Sequence, residues 1–355
     1  MGGAGGAGRQ HGVGATPPLL RRLNARLVLD TLRAGGTENM SVAELAAGTA
    51  LSRPTVDAAV ADLSRLGLVC PADGGRQRRG RPARRFRFRA EAAYVLGLDI
   101  RVEQIHVVLS DLDGTVVAED IHPVPPDALR ADRLRVVRTA ADAALSGTGL
   151  SYGDLRCAGA ATPGIVDVEQ GRVRSCQTMP EWSDFDLAGE LRRDLGCRVL
   201  VDNDANLGAV GECWRGVARG VASVVFFLTG SRFGAGLVLD QRLVRGHGGG
   251  AGELGFLRSR EGVDPGYVIA TVSLLLNPEL IVVGYESATT GESPADILDD
   301  LRRQLAQTKI VTPPRLELST LGTSVVALGA VRHALDSVDA ALLDGVGDGG
   351  PPSRI

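Results

Sequence analysis

The chain has almost no lysine, no closely spaced cysteines and no long apolar run. Lys309 is its single lysine among 39 basic residues, a bias of coding rather than of chemistry. Five cysteines (Cys70, Cys157, Cys176, Cys197 and Cys213) are scattered, odd in number and without a CxxC spacing. That argues against a disulfide framework or a zinc site, and it predicts reduced thiols in a cytoplasmic protein. No stretch reaches the ~18 apolar residues that a membrane span needs, so no membrane partner is expected. Met1–Pro18 is glycine-rich without an apolar core, which reads as a disordered tail and not as a signal peptide.

What is present points to folded domains. The 355 residues are 44% hydrophobic, enough for two or three domains with sizeable cores. The formal charge of −3 argues against a chain that coats nucleic acid uniformly, but the charge is unevenly spread. Leu19, Leu23 and Leu27, with Leu20, Val28 and Leu32 beside them, have helical spacing that Gly35-Gly36 ends. Ser41 with Glu44 forms a capping box for a short helix over 42–47. Ser52 caps another, with Val56, Val60, Leu63 and Leu66 on one face. Helix, helix, tight turn, helix and then a strand pair is the winged helix-turn-helix pattern, here over 19–89.

Between the two strands runs Arg76 to Arg89, in which eight of fourteen residues are Arg and none is acidic. A solvated linker would look similar, but this run sits where a wing belongs. Arg79, Gly80 and Arg81 can lie in a narrow minor groove, with glycine permitting close backbone approach. Ser52, Arg53 and Thr55 open the expected recognition helix. Double-stranded DNA is therefore the expected partner, read by these six residues.

A different rhythm begins at Tyr94. Strands are expected at 95–100 and 105–109, then a hairpin turn at Asp113-Gly114, a strand from Thr115 to Ala118 and a helix over 131–144. A strand ending at Pro163-Gly164 follows. Strands at 223–228, 236–239, 242–245 and 280–283 repeat the style, and a helix over 324–335 closes it. The expected fold is α/β: a first lobe at 90–208, a second at 209–340, and a disordered tail at 341–355. His106 and His247 read as structural residues and not as metal ligands.

One stretch concentrates the chemistry. After an apolar strand, Asp202-Asn203-Asp204-Ala205-Asn206 places carboxylates and carboxamides where open α/β sheets bind ligands, at a strand's carboxyl end. An Asx-rich turn that only caps the next helix would use the same residues.

Together with Ala161-Thr162-Pro163-Gly164-Ile165-Val166-Asp167 before it and Gly250-Ala251-Gly252-Glu253-Leu254-Gly255 after it, this stretch resembles the ROK family of sugar kinases and sugar-responsive repressors. The resemblance runs from about Leu20 to about Leu335, and Arg21 to Phe88 is similar to the winged domain of the family's repressors. It implies a two-lobe, ribonuclease-H-like body of the actin-like type, shortened in its carboxyl-terminal lobe. It also implies that Asp204 matches the kinases' catalytic base, here vestigial, and that Asn203, Asp204 and Glu253 match positions that bond sugar hydroxyls.

Against the family pattern, the first phosphate loop reads Asp99-Ile100-Arg101-Val102-Glu103 in place of Asp-Ile-Gly-Gly-Thr. The second reads Gly230-Ser231-Arg232-Phe233-Gly234-Ala235-Gly236, and the adenosine-side Gly-Gly reads Gly284-Tyr285. Phosphoryl transfer needs backbone amides wrapped round phosphates, and side chains here replace the glycines that allow it. Phe256 stands where the family has a sugar-binding, zinc-ligating His, and the Cys-rich zinc motif is absent.

No ATP, zinc or other cofactor is therefore expected, and no kinase activity. The expectation is a dimeric or higher-order DNA-binding regulator, a repressor of carbohydrate-related genes with a sugar or sugar phosphate as effector. Two alternatives stay open: an ATP-dependent sugar kinase carrying a DNA-binding head, and a constitutive DNA binder whose second domain is only a scaffold.

Overall fold

The computed structural model describes residues 17–36, 38–72, 84–125, 127–229, 233–257, 264–285, 293–344 and 346. The chain divides into two compact units, residues 1–92 with 340–355, and residues 93–339.

The first unit opens with helix α1 (Pro17–Ala34), so the expected tail is too long at Pro17 and Pro18: proline is welcome in a first helical turn, where its missing N–H costs nothing. Strand β1 (Met40–Ser41), helix α2 (Val42–Thr49) and helix α3 (Arg53–Arg65) follow. The Ser41 hydroxyl accepts from Glu44 N while Glu44 Oε2 accepts from Ser41 N at 2.7 Å. These bonds from Ser41 hold the Glu44 carboxyl below the usual range.

Val28, Leu29 and Leu32 of α1, Leu45 of α2 and Val56, Val60 and Leu63 of α3 are buried. Asp62, also buried on α3, accepts from Arg21 of α1 at 2.5 and 2.7 Å and from Arg65. A buried carboxylate persists only when paired in this way. Strands β2 (Val69–Ala72) and β3 (Arg85–Phe88) complete an antiparallel sheet in the order β1-β3-β2. Phe86 and Phe88 point inward and alternate with Arg85 and Arg87.

In the second unit, β4 (Tyr94–Ile100), β5 (Gln104–Asp111) and β6 (Val116–Pro123) form an antiparallel run that turns at Gly114. Helix α4 (Arg130–Ser146), β7 (Leu155–Thr162), a small hairpin of β8 (Ile165–Asp167) and β9 (Arg172–Ser175), helix α5 (Leu187–Leu195) and β10 (Arg198–Asn203) follow. The first sheet has the order β10-β7-β4-β5-β6, parallel across β10, β7 and β4.

Helix α6 (Asp204–Arg215) leads to β11 (Val224–Thr229), β12 (Gly234–Leu239), β13 (Arg242–Leu243), α7 (Pro265–Leu276), β14 (Leu280–Tyr285), α8 (Pro294–Ala306), β15 (Arg315–Leu318) and α9 (Val325–Ala341). The second sheet has the order β13-β12-β11-β14-β15, antiparallel on one side of β11 and parallel on the other. Counted from each sheet's first strand, the two orders are the same, so the unit is a topological duplication.

Both sheets carry near-continuous apolar strands, as expected where helices cover them. Gly97 and Gly159 face each other on β4 and β7. A Cβ on either would come within 2.4 Å of Ala327 O or 2.1 Å of Ala330 O, so α9 lays its backbone directly on the first sheet. The apolar pattern stops α9 six residues early and leaves 341–355 as a tail. Leu342, Leu343 and Val346 are in fact buried, and Arg22 donates to the Asp344 carbonyl at 3.0 Å. Apolar side chains with somewhere to pack do not fray, and the helical pattern alone does not show what they pack on.

Candidate functional site

The site begins where β10 ends. Strand residues Asp202 and Asn203 and the first residue of α6, Asp204, are all buried because β10 runs beside β7 under the helices. Asp202 accepts from Asn203 N at 2.8 Å, from Asn206 Nδ2 at 3.0 Å and from Arg245 Nε at 2.8 Å. It is thus consumed by structure and holds the turn in place.

Asn203 does more. Its Oδ1 accepts from Ala205 N (2.8 Å) and Asn206 N (3.2 Å), capping α6, while Nδ2 donates to Gly164 O (3.1 Å) and to Glu253 Oε1 (3.0 Å). One side chain joins the β7–β8 turn, the α6 terminus and the loop carrying Glu253. Gly252 sets that loop: its φ is +82°, and a Cβ there would lie 1.8 Å from Ala235 O. Only glycine lets the loop lie this close to β12.

Asn203, Asp204 and Glu253 line one cavity of about 200 Å³. Pro163, Gly164, Gln177 and Thr178 add to its wall, and Leu228, Phe233 and Phe256 make an apolar side. Burial, and then the neighbouring Asp204 charge, push the Glu253 carboxyl up to about 7. Gln177, Leu228 and Phe233 carry no sequence signal as cavity residues, because they come from segments far apart in the chain that only the fold brings together. Nearby in the chain, Trp182 is fully buried and packs on Phe185 with ring centroids 5.4 Å apart.

Beyond β4 lies the first of the loops matched to phosphate binding, which carries the Arg101 side chain. Arg101, 6% exposed, donates from Nε to the fully buried Asp99 at 2.5 Å and from a terminal nitrogen to Thr323 O at 2.9 Å. Arg133 of α4 donates to the carbonyls of Arg101 (2.8 Å) and Val102 (2.6 Å) from below. Burial lowers the Arg133 pKa, since carbonyls compensate its charge only in part. His106 is buried between Glu119 Oε1 (2.8 Å) and Thr323 O (3.2 Å), a core histidine whose ring nitrogens are engaged. In the second loop Gly230, Ser231 and Arg232 lie outside the described residues.

Phe256 offers no ligand atom, and among the described residues no group of three or more His, Cys, Asp or Glu is placed to hold a metal.

In the first unit, Ser52 caps α3, and its hydroxyl lies 3.3 Å from Thr55 N and 2.8 Å from Thr55 Oγ1. Arg53, at the first turn, is exposed. Arg79, Gly80 and Arg81 fall outside the described residues.

Residues 95–266 match the ROK family model. The xylose repressor of Caldicellulosiruptor bescii is 27% identical over 237 residues, which are 67% of this chain and 59% of that protein, so this chain spans less than two thirds of the repressor's length. A solved ROK family transcriptional regulator, a homologue of the E. coli Mlc protein, superposes with a TM-score of 0.68 at 19% identity over 92% of this chain and 98% of its own. A ROK family glucokinase from Streptomyces griseus, solved with glucose and AMPPNP, superposes with a TM-score of 0.56 at 20% identity over 69% of this chain and 100% of its own. Regulators and sugar kinases thus share this α/β fold of mixed sheets, and the matched segment takes in Asn203, Asp204 and Glu253. The chain carries a ROK-family domain.

Proposed function

We propose that the chain is a sugar-responsive transcriptional repressor that binds DNA as a homodimer and does not phosphorylate its sugar. In this reading 19–89 is a winged helix-turn-helix. Helix α3 presents Ser52, Arg53 and Thr55 to the major groove, and the arginine-rich 76–89 run is the wing. The two sheets of 90–340 form a ribonuclease-H-like body whose cavity takes the effector. Xylose repressor relatives and a regulator of the same fold support this assignment, and the kinase matches keep the enzyme alternative in view.

The observation that carries the reading is a contrast between two strand ends. At the end of β10, Asn203, Asp204 and Glu253, the residues matched to sugar-hydroxyl positions, line an open cavity. After β4 the Asp99–Arg101 pair and the Thr323 carbonyl occupy the loop that would have to wrap phosphates. A base without a phosphoryl donor has nothing to catalyse.

The scaffold reading has an observation of its own: all four hydrogen-bonding places of Asn203 are already used inside the protein. A thermal-shift screen of sugars and sugar phosphates, combined with retardation of genomic DNA fragments, separates the readings. Sugar stabilisation lost in Asp204→Ala and Glu253→Ala, with sugar-dependent release of DNA, is expected. DNA binding with no sugar response would leave the scaffold, and ATP-dependent phosphorylation of a sugar would make the chain a kinase.

A further inference from the structure

The cavity has a polar side and an apolar side, and Glu253 of the one and Phe256 of the other are joined by one turn of chain. Glu253 precedes a single 3₁₀ turn over 254–256, in which Phe256 N bonds Glu253 O at 3.3 Å. The Glu253 and Phe256 residues at the two ends of this short segment both line the cavity. Opposite them Phe233 is held by stacking on the buried Phe227, with ring centroids 5.9 Å apart and planes 12° apart.

At about 200 Å³ the cavity is smaller than the roughly 300–1,000 Å³ that encloses drug-sized ligands, and it suits a single sugar ring. Any further part of a ligand must lie at the mouth. Phe256, which lines the cavity, is 43% exposed, and the next residue in the chain, Leu257, is 51% exposed, a pair of large apolar side chains that gain only when something covers them.

We propose that the effector is a glycoside with an apolar aglycone: its sugar ring sits against Asn203, Asp204 and Glu253, and the aglycone lies on Phe256 and Leu257. This rests on the sugar-sensing reading and adds to it a ligand class that a free monosaccharide does not represent. The continuity of the Phe256 ring from cavity wall to exposed mouth is the feature that selects it.

The test uses the full chain and paired probes, the methyl and phenyl glycosides of glucose, galactose and xylose in both anomeric forms, measured by calorimetry. For the sugar that binds, the phenyl glycoside is expected to bind at least tenfold more tightly than the methyl glycoside, a difference of about 1.4 kcal/mol. Phe256→Ala combined with Leu257→Ala, checked for folding by circular dichroism, should bring that ratio close to one, and phenol alone should not bind.

Equal or weaker binding of the phenyl glycosides, with methyl glycosides still bound, overturns the inference and leaves sugar sensing intact. An advantage that persists in the double variant, or that free phenol reproduces, overturns the assignment to this mouth. If neither the methyl nor phenyl glycosides nor the parent sugars bind the folded chain, sugar sensing fails and the inference fails with it.

Discussion

Asn203 Nδ2 donates to Glu253 Oε1 across 3.0 Å, joining residues fifty positions apart in sequence, while the same amide group holds Gly164 O. A hydroxyl that bonds the Asn203 amide group must take the place of one of these partners, and displacing Glu253 would release the 253–256 turn.

The first prediction follows from that bridge. Asn203→Ala removes the α6 cap, worth about 1 kcal/mol, and leaves Gly164 O and Glu253 short of a donor, so a loss of about 2–4 kcal/mol is expected in denaturant melts. Asn203→Asp keeps the capping oxygen but sets a carboxylate against Glu253. Its deficit should shrink as pH falls and Glu253 takes up a proton. A deficit that does not change between pH 5 and 8 would count against the bridge.

A second prediction concerns Glu253 itself. Its carboxyl titrates near 7 in the fold, because of burial first and Asp204 second, against roughly 4.3 for an unfolded glutamate. A proton held more tightly in the folded state adds stability that is complete below the unfolded value and is lost as pH rises through about 7. The loss is on the order of 3–4 kcal/mol. Glu253→Gln, which keeps an acceptor for Asn203, should be close to wild type near pH 4.5. It should become progressively more stable than wild type up to about pH 7, and the gap should level off above that. Parallel pH–stability curves for the two proteins would refute the assignment.

The third prediction is that opening the first loop destabilises the body without restoring nucleotide binding. Arg101→Ala strands Asp99, which is fully buried, and removal of one partner from a buried pair costs about 3–5 kcal/mol. Calorimetry with ATP and magnesium should show no binding to wild type or variant. Binding by either would return the kinase alternative.

These predictions also mark what is legible in the sequence. Caps announce themselves within four residues, so Ser41 with Glu44 and Ser52 before α3 are readable, as is the polar cluster closing β10. The Asn203–Glu253 bond spans two distant segments that only the tertiary fold brings together. Gly97 and Gly159 look like ordinary strand glycines until β4 and β7 are paired and α9 is laid across them. Helices α7 and α8 and strand β15 do not stand out in the pattern. The outer face of α7 is as apolar as its inner one, with Tyr267, Leu274 and Leu275 exposed, and that blurs the helical period.

A fourth prediction tests the carboxyl-terminal segment. Ending the chain at Ala341 removes Leu342, Leu343 and Val346, each buried, together with the carbonyl that Arg22 holds. Burial of such side chains is worth about 1.5–3 kcal/mol each, so the truncated chain should melt several degrees earlier. A dispensable tail would leave the melt unchanged.

The last prediction separates structure from recognition on α3. The Ser52 hydroxyl is spent on the Thr55 backbone and hydroxyl, so Ser52→Ala should cost stability, about 1 kcal/mol, as the loss of a cap does. Arg53, one residue on, makes no side-chain hydrogen bond or ion pair among the described residues. Arg53→Ala should therefore leave the melting temperature within error while weakening binding to a preferred DNA site. Removing a hydrogen bond to a base edge costs about 1–3 kcal/mol and narrows the gap between preferred and random DNA. Arg81→Ala should instead act most where A·T-rich flanks narrow the minor groove. Retardation assays at several salt concentrations distinguish the two roles. If Arg53 instead bonds a phosphate, its removal should lower the salt slope by about one and weaken all sequences alike. If Arg53→Ala changes neither preference nor slope, α3 is not the reading helix.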